Sequence, residues 1–319
     1  MSGRIKIAIL DDYQRVALRS ADWSLLGDVD LEVHHDRIAD RERLVESLSG
    51  CDVICAMRER TAIDRALIAR LPNLKLIVST GLRNAAIDVR AAREAGIPVC
   101  GTRGSATSAP ELTWALLLAA ARRLPAEFEA MRAGRWQTTF GRDLAGATLA
   151  LLGLGGIGST MARYGKAFGM EVIAWSQNLD EKRAQEAGAR RVEKDDLFRR
   201  GDFVSIHLRL SDRTRGLVDA RSLSLMKPDA ILVNTSRGPI VAEDALVEAL
   251  KNRRIGAAAL DTFEVEPLPE DHPFRTLDNV VATGHVGYVT EGSYRIYYGD
   301  AVENIRAWLN GKPIRLMEA

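Results

Sequence analysis

Leu149-Ala150-Leu151-Leu152-Gly153-Leu154-Gly155-Gly156-Ile157-Gly158, positions 149–158, is the stretch that decides the fold. A short apolar run enters a glycine cluster of the form G-x-G-x-x-G, and the residues after it place Ile157, Met161, Tyr164 and Phe168 on one helical face. Gly153 permits a tight turn, Gly155 lets the backbone approach a ligand, and Gly158 lets helix and strand pack closely. With Gly156 and Ile157 they open a helix whose free N–H groups face an anion such as a pyrophosphate. Glycine clusters alone are weak signals, because most of them are only turns. A strand before and a helix after favour a dinucleotide-binding turn.

Outward from this point, runs rich in Val, Ile and Leu alternate with stretches of helical period, the pattern of parallel sheets joined by crossover helices. Strands are expected at Thr148 to Leu152, Glu171 to Trp175, Phe203 to Leu208, Ile231 to Thr235, Ile255 to Leu260 and Val280 to Thr283, which complete a doubly wound sheet. A smaller βα series precedes them. Its strands are expected at Ile5 to Leu10, Asp52 to Ala56, Lys75 to Ser79 and Pro98 to Cys100, with helices near Arg41 to Leu48, Asp64 to Leu71 and Asp88 to Ala95. An apolar helix, Ser108 to Arg123, leaves this series with Pro110 near its first turn, where the missing N–H is harmless. Pro125 to Asp143 carries several charges, Gly134, Trp136 and Gly141, and is expected to be a long connection rather than a sheet element, an arm suited to packing on a second subunit. Glu291 to Leu309 has Ile296, Tyr297, Ala301, Ile305 and Trp308 at helical spacing and can return to the first series. The expected division is residues 1–104 plus 286–319 for the smaller domain and 105–285 for the nucleotide-binding domain.

The 319 residues suffice for two domains with separate cores. With 44 Lys and Arg against 43 Asp and Glu, the net charge of +1 gives nucleic acid or an anionic membrane no purchase, so neither is an expected partner. Cys51, Cys55 and Cys100 form neither a disulfide framework nor a zinc spacing, so no metal is expected and a reducing compartment is the simplest reading. Arg4 to Leu10 reads as a strand rather than a signal segment, and no apolar run reaches the roughly 18 residues of a membrane span. A cytoplasmic protein is expected.

The residue that grips the adenosine ribose of a dinucleotide lies just after the second strand of the unit, here within Trp175-Ser176-Gln177-Asn178, and none of these is acidic. An acid there would accept from the ribose 2′-OH and repel a 2′-phosphate, whereas Ser176, Gln177 and Asn178 repel nothing. Either NAD or NADP is therefore an acceptable cofactor, with NADP expected to be taken.

Reduction of a ketone by hydride leaves an alkoxide that needs a proton, which calls for an acid that works near neutral pH, most often His. Of five histidines, His34 and His35 fall in polar connections and His272 in a Pro-rich surface stretch. His207 ends a strand on the ligand side of the sheet, where a cofactor contact and a packing role weigh equally. His285 follows the strand Val280 to Thr283 between Gly284 and Gly287, at the carboxyl edge of the sheet. Glu266 follows Ile255 to Leu260 and is placed to hold the imidazole in one tautomer. Arg237 follows Ile231 to Thr235, beside Gly238, and is placed to grip a carboxylate with two parallel hydrogen bonds. Loop charge explains the Glu or the Arg singly, but the three arise at the ends of consecutive strands.

These residues resemble the D-isomer-specific 2-hydroxyacid dehydrogenase family over nearly the whole chain. The matching blocks are Leu152 to Gly158, Leu232 to Val241, Ala259 to Pro269 and Thr283 to Gly287. The resemblance implies an α/β fold with a doubly wound Rossmann domain inserted in a smaller flavodoxin-like substrate domain, and hydride transfer between NAD(P) and a small 2-oxo or D-2-hydroxy acid. Glyoxylate, hydroxypyruvate and phosphoglycerate exemplify that substrate class. It implies Arg237 as substrate clamp, Glu266 as partner of the histidine and His285 as acid in reduction and base in oxidation. It also implies Thr235, Ser236 and Asp261 on the nicotinamide side, with Asp261 facing the carboxamide. The substrate carboxylate would meet backbone N–H groups near Gly81 and Leu82, and a homodimer would form through the nucleotide-binding domain. Gly284 stands where the family often has Pro, and the segments Ser105 to Glu111 and Gly81 to Asn84 also depart from its pattern. Arg58, with Arg60 and Arg83, adds positive charge suited to an anionic substrate.

Three other readings compete. A nucleotide-sensing corepressor on this fold has no need of the complete Arg, Glu and His set. Formate dehydrogenase carries Gln where Glu266 stands. A methyltransferase with a glycine loop has no use for the three residues at all.

Overall fold

The computed structural model describes residues 4–318. The chain divides into two compact units, Ala106–Tyr288 and the pair of segments Met1–Ser105 and Val289–Ala319, so that the former is inserted into the latter.

The inserted unit is built on seven parallel strands: β6 (Thr148–Leu152), β7 (Glu171–Trp175), β8 (Arg190–Arg191), β9 (Phe203–Ile206), β10 (Ile231–Asn234), β11 (Ala257–Leu260) and β12 (Val280–Ala282). Their order across the sheet is β12-β11-β10-β9-β6-β7-β8. The order reverses beside β6, where doubly wound sheets bind ligands at the carboxyl ends of their strands. Alternate residues serve two cores. Leu152, Ile173, Val204, Leu232 and Leu260 pack on one face. Leu149, Leu151, Val172, Phe203 and Val233 pack on the other, with Trp114, Leu117 and Met161 from helices. Burial on both faces is why these strands read as continuous apolar runs.

Four details differ from the sequence reading. β8 is an added edge strand of two arginines, too short and too polar to show a pattern. β9, β10 and β12 stop short, leaving His207, Thr235 and Thr283 in the loops, and β11 starts at Ala257. The connection after the apolar helix Ser108–Ala121 begins with a second helix, Leu124–Arg132, where Pro125 takes the first turn and Ala130 is buried. In the helix Gly156–Ala167, Met161 is buried but Ile157, in the first turn, is 39% exposed.

The other unit has five parallel strands, β1 (Ile5–Ile9), β2 (Val29–Val33), β3 (Val53–Ala56), β4 (Leu76–Ser79) and β5 (Val99–Gly101), in the flavodoxin-like order β2-β1-β3-β4-β5. β2, Val-Asp-Leu-Glu-Val, was not foreseen; it is a half-exposed edge strand whose acids face water. The C-terminal tail covers the opposite edge, where Gly101 N–H donates to the Arg315 carbonyl and Met317 N–H to that of Val99, each at 2.8 Å. The last helix, Glu291–Leu309, is anchored by buried Asp300, which accepts from the backbone N–H and the guanidinium of Arg103 at 2.7 Å each. Cys51, Cys55 and Cys100 are free and buried.

Candidate active site

Asn234, Leu260 and Ala282 are neighbours in register at the carboxyl ends of β10, β11 and β12, so the three loops after them start side by side. Asn234 is buried, and its side chain folds the first loop: its amide donates to the Arg237 carbonyl at 3.0 Å and its Oδ1 accepts from Ser236 N–H at 3.1 Å. The Ser236 hydroxyl donates to the Ile206 carbonyl at 2.8 Å. Thr113 donates to the Ala109 carbonyl, which leaves its oxygen to accept from Thr235 at 2.7 Å. Arg237 sends Nη1 to the Ser236 carbonyl at 2.8 Å. A Cβ on Gly238 would lie 2.0 Å from the Phe263 carbonyl carbon, so only glycine lets the loop after β10 touch the loop after β11. That contact brings the charge of Arg237 to bear on Glu266.

Phe263 is buried in the core, and its N–H donates to Glu266 Oε1 at 3.0 Å. The other carboxylate oxygen, Oε2, is 2.6 Å from His285 Nδ1. The Glu266–Pro267 peptide is cis. Burial alone would push the Glu266 carboxyl up. The hydrogen bond and charge of His285, the Phe263 N–H and Arg237 outweigh burial and hold it below its ordinary value. Glu266 is therefore an anion, Nδ1 carries the proton between them, and Nε2 is the ring nitrogen left to exchange a proton. The side chains are 21% exposed for His285 and 35% for Glu266, enough for a small molecule to reach the ring. The Tyr288 ring stands edge-on to the imidazole, centroid to centroid 5.6 Å.

His285 has a φ of +54°, the left-handed region. Asp261, 1% exposed at the end of β11, holds it there: Oδ1 accepts from the Thr283 hydroxyl at 2.6 Å and Val286 N–H at 2.8 Å, and Oδ2 accepts from Gly287 N–H at 2.9 Å. Burial raises the Asp261 carboxyl, and these bonds together with nearby His285 offset only part of the effect. Asp261 thus accepts three hydrogen bonds from the residues around His285, two at Oδ1 and one at Oδ2. Asp261, Asn234, Phe263 and Gly238 as builders of the site were not foreseen in these roles. A polar residue ending a buried apolar strand, as Asn234 and Asp261 do, was the available signal.

The glycine cluster follows β6 in this same unit. A Cβ on Gly153, whose φ is +106°, would sit 2.5 Å from the His207 carbonyl oxygen, and one on Gly158 would sit 2.2 Å from that of Gly153. Gly155 and Gly156 have nothing within 4 Å of a Cβ, so their face is open for backbone contact, and no side chain caps the helix they begin. A tight turn, an open face and a bare N-terminus on a helix of 12 residues fit a pyrophosphate. Gly153 N–H donates to the Trp175 carbonyl at 2.8 Å, which places Ser176, Gln177 and Asn178 next to the cluster.

His207 packs against Gly158, its Nε2 is 2.9 Å from the Ser205 hydroxyl, and its buried Nδ1 has no partner among the described residues. Burial lowers its pKa to about 3, so it stays neutral and cannot be the proton donor at ordinary pH. His272 caps a short turn through Phe274 N–H and meets Glu243 at 3.1 Å. His34 is packed rather than solvated, its side chain only 14% exposed beside β2. In the other unit, Arg58 has a φ of +52° and follows β3, its N–H donating to Thr80 Oγ1 at 2.7 Å. Gly81 N–H is already given to Thr102 Oγ1 at 2.7 Å, so of the two expected backbone donors only Leu82 N–H lacks a described partner. Among the described residues, no group of three His, Cys, Asp or Glu is placed to hold a metal, and no helix is long and apolar enough to cross a membrane.

Residues 114–287 match the family model described as D-isomer specific 2-hydroxyacid dehydrogenase, NAD binding domain. The chain is 36% identical over 312 residues to D-3-phosphoglycerate dehydrogenase of Methanocaldococcus jannaschii, covering 97% of itself but only 58% of that longer protein. It is 42% identical over 260 residues to glyoxylate reductase of Aeropyrum pernix, covering 78% of each. Phosphoglycerate oxidoreductase of Vibrio cholerae superposes with a TM-score of 0.92 at 40% identity, over 96% of this chain and 99% of that one. These relatives are named as enzymes, and with a family match spanning more than half of its length the chain belongs to the NAD-binding D-isomer-specific 2-hydroxyacid dehydrogenases.

Proposed function

We propose that this protein transfers a hydride between NAD(P)H and C2 of a small 2-oxo acid, forming a D-2-hydroxy acid, with substrates of the hydroxypyruvate, glyoxylate or phosphoglycerate type. The observation that carries the reading is the 2.6 Å contact between His285 Nδ1 and an ionised Glu266, with Arg237 on the adjoining loop and a pyrophosphate cradle in the same unit.

When bound, the nicotinamide supplies the hydride that adds to C2. Arg237 grips the substrate carboxylate and polarises the C2 carbonyl. As the carbonyl π bond breaks, its oxygen takes the proton from His285 Nε2, and in the reverse direction Nε2 removes the hydroxyl proton. Glu266 keeps the second ring proton on Nδ1 and balances the imidazolium charge. Asp261 positions the histidine loop. Within the smaller unit by itself, Arg58 after β3 and Leu82 N–H after β4 are groups suited to an anionic ligand. The test is a panel of glyoxylate, hydroxypyruvate, pyruvate, phenylpyruvate, 2-oxoglutarate and phosphohydroxypyruvate, assayed with NADH and NADPH in parallel. Turnover of at least one is expected, and none with either cofactor refutes the proposal.

A homodimer through the nucleotide-binding unit belongs to the same proposal. Phe128, Met131, Trp136 and Phe140, on and after the helix Leu124–Arg132, are 57–93% exposed, an apolar surface suited to a second copy of the chain. Sedimentation should find a dimer that Trp136→Glu with Phe140→Glu dissociates; a wild-type monomer refutes this part. Free, buried thiols support a cytoplasmic location.

A further inference from the structure

A second imidazole–carboxylate pair lies in the inserted unit, apart from the one that exchanges the proton. Glu243 opens the helix Glu243–Lys251, whose Leu246, Ala249 and Leu250 are buried, so its carboxylate stands on a rigid base. One oxygen, Oε1, is 3.1 Å from His272 Nε2, and the other, Oε2, accepts from Glu264 N–H at 3.2 Å. His272 Nδ1 accepts from Phe274 N–H at 3.2 Å, so the neutral ring carries its proton on Nε2 and donates it to Glu243. The pair is well shielded from water, the side chains being 15% exposed for His272 and 24% for Glu243.

Glu264 and His272 bracket the irregular segment 264–272, which carries Glu266. One carboxylate therefore ties both ends of that segment to one helix. Between the ties, the Arg275 guanidinium holds the Leu268 and Pro269 carbonyls at 2.6 and 2.8 Å. The ends also communicate with the site by packing. The His272 ring lies 4.7 Å from that of Phe274, centroid to centroid, and Phe274 lies 6.3 Å from Phe263, the residue whose N–H holds Glu266 Oε1. A Cβ on Gly238 would sit 2.5 Å from Glu264 N, so the atom that Glu243 secures is also one against which the Arg237 loop rests.

Resting on the dehydrogenase reading, we infer that Glu243 and His272 are positioning residues for proton transfer, clamping the loop after β11 at both ends and so setting the Glu266 carboxylate on His285. Glu243→Gln keeps the shape but offers one acceptor to two donors, so one end of the segment comes loose. Displacing Glu266 by about 1 Å costs up to about 100-fold in rate. It also weakens the grip of His285 and Arg237, the charged groups facing Glu266, which hold its carboxyl low, so the acid limb of the rate profile moves to higher pH.

The experiment compares Glu243→Gln, His272→Asn and His272→Gln with the wild type by steady-state kinetics across pH, using the 2-oxo acid and cofactor that the wild type turns over, with cofactor Kd by calorimetry and His285 followed by imidazole NMR. Asn reproduces Nδ1 of the ring and keeps the cap on Phe274 N–H, whereas Gln reproduces Nε2 and keeps the contact with Glu243. Glu243→Gln and His272→Asn should each lower kcat by about tenfold or more and change the cofactor Kd by less than about threefold. Both should move the acid limb to higher pH, and His272→Gln should recover most of kcat. A Glu243→Gln variant with kcat within about twofold of wild type, or with an unmoved acid limb, overturns the clamp. So does a greater loss in His272→Gln than in His272→Asn, the order that a turn cap alone would give. Where the wild type turns over no 2-oxo acid, the dehydrogenase reading fails by itself and the spectrum judges the clamp separately. The proton between His285 Nδ1 and Glu266 should then give a downfield signal that Glu243→Gln shifts or removes, and an unchanged signal overturns the clamp.

Discussion

Replacing Glu266 with Gln removes one charge and one acceptor while keeping the side chain's shape. The carboxylate accepts at both oxygens, from Phe263 N–H at 3.0 Å and from His285 Nδ1 at 2.6 Å. An amide has only one oxygen. If that oxygen faces Phe263, the NH₂ group meets Nδ1 and demands the wrong tautomer. If it faces Nδ1, the NH₂ group opposes the Phe263 N–H. Either arrangement loses one hydrogen bond to a charged group, worth about 1.5–3 kcal/mol. Expressed in the transition state, where the ring charge changes, this lowers kcat/KM by about 10- to 150-fold. The pH dependence has a definite sign. Because the Glu266 carboxyl lies below its ordinary value, the pairing persists from ordinary carboxylate pH upward and is lost as pH falls through the lowered value. The wild type should thus lose activity at the acid end through protonation of Glu266, and the Gln variant should lack that step. Steady-state kinetics across pH, with NADH or NADPH affinity measured by fluorescence, checks both points. A Gln variant within twofold of wild-type kcat/KM, or one whose cofactor affinity falls as much as its kcat/KM, refutes the reasoning.

His285→Ala should lower kcat by about 10²- to 10⁴-fold with cofactor affinity unchanged; stopped-flow hydride transfer measures it, and an unaltered rate removes His285 from the proton step. Gly238→Ala puts a methyl 2.0 Å from the Phe263 carbonyl carbon, so it should cost about 1–3 kcal/mol in urea unfolding and raise KM as Arg237 shifts; unchanged stability contradicts the contact. Asp261→Asn has too few acceptors for three donors and should destabilise by about 1–3 kcal/mol while lowering kcat more than it alters cofactor affinity, read by melting and kinetics together. Gly284→Ala meets nothing within 4 Å at ordinary backbone angles and should leave kcat unchanged while gaining about 0.4–1 kcal/mol of stability.

What the sequence made legible was local. Strand, glycine turn and helix lie within about twenty consecutive residues, and buried parallel strands announce themselves as unbroken apolar runs. Edge elements did not. β2 alternates valine and leucine with acids, and β8 is a pair of arginines, because an edge strand buries too little to need a pattern. The helix Leu124–Arg132 was obscured by its charges, since only Ala130 is buried along it. Arg237, Glu266 and His285 could be grouped because each ends a strand, and strand order in a parallel sheet converts sequence order into adjacency. The contacts that set their angles could not be grouped in this way. The Gly238 approach to Phe263 and the three bonds to Asp261 depend on loop shapes that no periodicity encodes.

The left-handed conformation of His285 shows where the fold's stability is spent. Histidine enters that region more readily than bulkier residues, yet holding a non-glycine residue there still costs about 1–3 kcal/mol. Three hydrogen bonds to a buried carboxylate, each worth about 1.5–3 kcal/mol, more than offset that cost, while the burial that raises the Asp261 carboxyl opposes them. What remains is a loop with one accessible geometry. Nε2 is therefore held in position by Asp261 through the backbone and by Glu266 through the ring, two carboxylates of the one loop after β11 acting on the histidine after β12. Asp261 fixes where the imidazole stands and Glu266 fixes which nitrogen carries the proton, so losing either should leave the fold intact and the proton misplaced.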